Sequence, residues 1–151
     1  MRFKEYYLNE KLNLNMPVKV VRNEKHIWQS RFEVDGIKYS FIADLDDEII
    51  EGEPPEWAIT FFNDSKMTSW GIGSTEITGD MGARAILVFS GVASAFKKFI
   101  ADKKPEAFFF TAEEPSRVKL YNRLSKMIVS KFRYKMERGG EKRDEFYSFY
   151  K

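Results

Sequence analysis

Apolar and polar positions follow one rhythm up to about Gly82 and another from Arg84 onward. Val18 to Asn23, entered after Pro17, reads as a strand. Ile27 to Val34 and Ile37 to Leu45 are two more, separated by Asp35-Gly36, a pair suited to the positive φ angles of a tight hairpin turn. In the second run Ile37, Tyr39, Phe41 and Ala43 share one face, a period of two that predicts a strand with one side buried. Trp57 to Phe62 is a dense apolar run expected to be a central strand. From Arg84 the period becomes helical. Ala85, Phe89, Val92, Phe96 and Phe99 form an apolar stripe, and Ile86, Leu87 and Val88 make the first turns apolar nearly all round, which predicts that this end is deeply buried on every side. Pro105 ends this helix. Ala107 to Thr111 then predicts a short buried strand. Pro115 and Ser116 open a second helix with the stripe Val118, Tyr121, Leu124, Ile128 and Phe132. Tyr134 to Met136 and Glu145 to Tyr150 read as two last strands around Gly139-Gly140.

Three stretches are less defined. Met1 to Met16 reads as a short helix and a loop. Asp46 to Pro55 is an acidic loop closed by Pro54-Pro55. Asn63 to Gly82 is polar, holds Gly71, Gly73, Gly79 and Gly82, and is long enough to hide a strand or carry function. With no repeat or linker, residues 1–151 read as a single α+β domain. The expected build is three-layered, α/β-like, with a mixed, mostly antiparallel sheet and two main helices in the C-terminal half. Trp57, Phe61, Phe89, Phe96, Phe109, Tyr121 and Ile128 are the expected core.

Composition narrows the chemistry. The chain has no cysteine and one histidine, His26, so disulfides, thiol nucleophiles, cysteine metal sites and a Ser-His-Asp triad have little to draw on. No metal site is expected. Met1 to Glu10 is charged and aromatic, unlike a signal peptide, and no apolar run is long enough to span a membrane, which suits a cytoplasmic protein. The net charge of +2 conceals a division of sign. Residues 33–56 hold nine acids against Lys38, while residues 115–138 hold eight bases against Glu137. The two regions can pair internally or form separate faces. The small global charge argues against a dedicated nucleic-acid binder, so that partner is not expected, although the local charge leaves it open.

Several residues are candidates for chemistry. The loop Gly79 to Ala83 enters a helix, where backbone N–H groups and the helix dipole favour an anion such as a pyrophosphate; an ordinary turn is the alternative. Ser116 and Arg117 can meet a phosphate or serve as a cap and a solvated cation. Glu113 follows a strand end and can act as general base, or can simply suit the helix dipole, as can Glu114. Asp44, Asp46, Asp47 and Glu48 can attract a cationic amine or Mg²⁺, or remain solvated.

Two pieces, Thr78-Gly79-Asp80-Met81-Gly82-Ala83 and Ser116-Arg117-Val118-Lys119-Leu120-Tyr121, together with the order of elements, resemble the GNAT superfamily of acyl-CoA-dependent N-acyltransferases. The resemblance implies acetyl-CoA held by Gly79, Gly82, Ala83, Arg84, Ser116 and Arg117. It also implies an amine acceptor and Tyr121 as the acid that protonates the leaving thiolate, although Tyr121 lies on the apolar stripe and reads equally as core. The family signature is Q/R-x-x-G-x-G/A; here Gly79 stands at the Gln/Arg position and Arg84 at the small-residue position. Residues 77–94 and 108–124 also resemble a group of small tailed-bacteriophage proteins without known activity. That likeness implies a host-cytoplasmic protein that binds a host factor or a virion component.

Overall fold

The computed structural model describes residues 14–45, 51–52, 54–64, 83–112, 115–139 and 145–151, without the side chains at 63, 83–85, 111–120, 138–139 and 145–146. The expected N-terminal helix, most of the acidic loop, the glycine-bearing stretch 65–82, Glu113, Glu114 and Gly140 lie outside the described residues.

The strands are β1 (Lys19–Asn23), β2 (Ile27–Val34), β3 (Ile37–Leu45), β4 (Glu56–Asn63), β5 (Ala107–Ala112), β6 (Lys135–Gly139) and β7 (Glu145–Tyr150), with helices α1 (Ala83–Lys103) and α2 (Pro115–Phe132). They form one sheet of order β1-β2-β3-β4-β5-β7-β6. Every neighbouring pair is antiparallel except β4 and β5, which are parallel and joined through α1. The β2–β3 hairpin turns where expected. Asp35 and Gly36 have φ of 51° and 79°, the two left-handed positions of a type I′ turn. Both helices end on a cation in the same region, Lys104 at φ 45° and Arg133 at φ 60°.

Register puts one row of side chains under both helices. Trp28 and Phe32 of β2, Phe41 of β3, Trp57 and Phe61 of β4, Phe108 and Phe110 of β5, and Tyr147 and Phe149 of β7 are all buried. Phe89, Val92, Phe96 and Phe99 of α1 and Tyr121, Leu124 and Ile128 of α2 cover this row. The described residues therefore make two layers, with both helices on one face, as successive right-handed crossovers in one direction require. Gly91 permits the closest approach of α1, because a Cβ there would lie 2.3 Å from the Phe32 ring.

Two expectations need correction. Phe109 is not in the core. Phe108 and Phe110 are, and Phe109 is half-buried on the other face. Three consecutive phenylalanines carry no phase of their own; the pairing of Phe108 with Trp57 and Phe149 sets it. Leu87 is 44% exposed, so the first turns of α1 are not buried all round.

Candidate functional site

Parallel strands need a crossover, and a crossover helix runs back against the strand it follows. The last turn of α1 lies beside the start of the sheet: Trp28 Nε1 donates to Asp102 Oδ2 (2.9 Å), and Lys103 Nζ donates to the Glu24 carbonyl (2.6 Å). A helix of 21 residues reaches about 31 Å, so Ala83 lies at the far end, toward the carboxyl ends of β4 and β5. The start of α2 directly follows β5 and lies at that end as well. Topology thus gathers Ala83, Arg84, Ser116 and Arg117 at one end of the sheet. Gly79, Gly82 and Glu113 lie outside the described residues.

The same end holds a break in the sheet. β4 has eight residues and β5 six, yet they pair only at Glu56 with Ala107, Trp57 with Phe108 and Ala58 with Phe109. Beyond these positions β4 stays with β3 and β5 stays with β7, and no pairing joins them across the gap among the described residues. Backbone N–H and C=O groups facing such a gap need partners. On the helix side the gap is floored by rings. Tyr121 lies 5.7 Å from Phe61 of β4 and 5.0 Å from Phe110 of β5, centroid to centroid, and is 3% exposed. Its place is therefore both core and directly beneath the point where the strands part. Ser125 Oγ donates to the Tyr121 carbonyl (2.6 Å), and Tyr147 OH donates to Asn122 Oδ1 (3.0 Å), which fixes this turn of α2.

On the opposite face, Ser40 Oγ, fully buried, donates to Asp64 Oδ1 (2.6 Å), and Arg31 Nε lies 3.5 Å from Asp64 Oδ2. This cluster anchors the carboxyl end of β4, where the Asp64 N–H donates to the Lys38 carbonyl (2.9 Å). Sequence reading missed it, although the signal was present: counting four pairs back from the Asp35-Gly36 turn sets Arg31 opposite Ser40.

The acidic segment is joined elsewhere. Its flanks, Leu45 and Glu56, lie where β4 and β5 are still paired, and Phe62 is about 20 Å further along the strand. The described flanks of this segment thus lie at the end opposite the gap. His26 is exposed, in the β1–β2 turn. A groove of about 390 Å³ separates residues 14–18 from α1, but its polar groups tie the two together. Lys97 Nζ donates to Asn15 Oδ1 (2.6 Å), Lys98 Nζ to the Val18 carbonyl (3.1 Å) and the Met16 N–H to Ser94 Oγ (3.1 Å). Among the described residues no group of three His, Cys, Asp or Glu could hold a metal ion, and no helix is long and apolar enough to cross a membrane.

No protein-family model, curated protein sequence or solved structure matches the chain.

Proposed function

We propose that the chain is a GNAT-like, acyl-CoA-dependent N-acyltransferase acting on an amine. The observation that carries this reading is the parallel β4–β5 pair that holds for three residues and then parts above Tyr121. An extended ligand bearing amide groups can take up the unpaired backbone edge of β4 as an added strand does, and the pantetheine arm of a coenzyme A thioester is such a ligand. The N-termini of α1 and α2, at the same end, offer N–H groups to a pyrophosphate, with Gly79, Gly82, Ala83, Arg84, Ser116 and Arg117 as the holding residues. Bound acetyl-CoA supplies a thioester carbonyl. Glu113 takes the proton lost by the attacking amine as the C–N bond forms, and the Tyr121 hydroxyl gives one to the sulfur as the C–S bond breaks. Because Tyr121 is buried, this requires a ligand that enters the gap and parts the ring floor.

That burial also supports a second reading, a non-catalytic protein of the same build, of phage origin, that binds a host factor or a virion component. Calorimetry with acetyl-CoA separates the two. The enzyme reading expects micromolar binding that Arg84→Glu abolishes, with Tyr121→Phe retaining binding and losing turnover. Absence of binding at millimolar acetyl-CoA sinks it in favour of the scaffold.

A further inference from the structure

The lateral wall of the molecule is α2 together with the edge strand β6, against which it packs. The sequence PSRVKLYNRLSKMIVSKF of α2 contains no acid in 18 residues, and Glu137 is the single acid of β6. Arg123, Lys126 and Ser130 recur at spacings of three and four on one stripe of the helix, Arg123 half-buried and the other two exposed, and exposed Arg133 follows the last helical residue, Phe132. Exposed Lys131 adds a further cation on the last turn of α2. Among the described residues the ion pairs are Arg22–Glu24 and Arg31–Asp64, and neither involves these cations. Like charges one turn apart repel by about 0.2–0.5 kcal/mol per pair, and a stable surface helix normally interleaves acids among its bases. Bases without interleaved acids along α2 carry that repulsion until an anionic partner relieves it.

We propose that the α2–β6 wall binds the phosphate backbone of nucleic acid. The small net charge of the whole chain argued against such a partner. The structure changes that weighing, because Asp44, Glu51 and Glu56 lie on or between β3 and β4, at least two strands away from β6. Arg123, Lys126 and Lys131 on α2, with Arg133 just past its end, offer several cations to a polymer of repeated negative charge. A lipid surface fits less well, since a helix lying in a membrane interface needs a broad free apolar face. The apolar face of α2 is occupied by the core, which leaves Val129 as its exposed large apolar side chain among the described residues.

The test is fluorescence anisotropy of the full chain with a labelled DNA duplex of about twenty base pairs, at about 50 and about 200 mM potassium chloride. Four phosphate contacts weaken binding roughly a hundredfold between these conditions. Lys126→Glu, Lys131→Glu and Arg133→Glu together should flatten the logarithmic salt slope by about three and weaken binding at low salt more than about tenfold. All three side chains are exposed, and circular dichroism checks that the variant folds. The matched reversal of Lys19, Lys25 and Lys38, toward the far edge of the sheet, should change affinity less than about threefold. No binding at low salt overturns the proposal, as does equal loss in both variants. Binding to phosphatidylserine vesicles or to a polyglutamate peptide without binding to the duplex overturns it too.

Discussion

Phe96 meets rings from three strands: Phe41 at 4.8 Å, Phe61 at 6.3 Å, and Phe108 and Phe110 at 5.7 and 6.2 Å, with no exposed surface. Its neighbours are themselves interlocked, so a cavity there closes poorly. Phe96→Ala should lower stability by about 3–5 kcal/mol in denaturant titration. Tyr134 makes a different commitment. It is buried, its hydroxyl donates to the Pro105 carbonyl (2.6 Å), and burial pushes its pKa up from 10.0 to about 12. The folded state thus holds the phenol proton more tightly than the unfolded chain does. This contribution is complete below pH 10 and disappears as pH rises from 10 to about 12. Tyr134→Phe should be less stable at neutral pH, and the difference between the two proteins should shrink across that alkaline window. At this scale the sequence was readable where a period existed. The stripe from Phe89 to Phe99 is buried as its spacing required. The phase of Phe108, Phe109 and Phe110 depends on pairing with β4 and β7, which no local pattern contains.

Elements were legible for the same reason, and their mooring was not. A two-residue Asp-Gly turn fixes the register of β2 and β3 by itself, whereas the role of the α1 lysines emerges only from three-dimensional contact. Lys98 holds the carbonyl of Val18 and Lys103 that of Glu24, so both ends of the short edge strand β1 are tied to the helix. Such basic residues read in sequence as complements to the helix dipole. The contacts add a second task, holding down a strand whose hydrogen-bonded neighbour among the described residues is β2 alone. Lys98→Met keeps the apolar stem and deletes the donor. Hydrogen exchange should then accelerate at Lys19 to Arg22, while the melting temperature falls by no more than a few degrees. Unchanged protection across β1 would show that the lysine is incidental. The candidate site was legible only as a list of residue types. Arg84 and Ser116 are 32 positions apart in the numbering and reach one end of the sheet only because two crossovers turn the same way.

For the molecule as a whole, the sheet is two antiparallel leaves, β1 to β4 and β5-β7-β6, each drawn from one continuous stretch of chain. They are stitched by three residue pairs between β4 and β5 and clasped by α1, whose rings touch both. The first leaf pairs neighbours close in sequence and the β5–β7 pairs of the second join residues 33 to 43 apart, whereas the seam joins residues 51 apart, Glu56 with Ala107 onward, and gains three pairs for that closure. The leaves should therefore behave as separate cooperative units, with the seam forming last and opening first. Native-state hydrogen exchange in low denaturant can read this directly. The amides of Ala58 and Phe109 should open with a smaller free energy than those of Phe41 and Ala43, which lie within one leaf. Equal opening energies would mean that the sheet melts as one body. If the seam does open first, a molecule that bridges the gap acts as a late folding contact, and its concentration sets how often the two halves of the chain come apart.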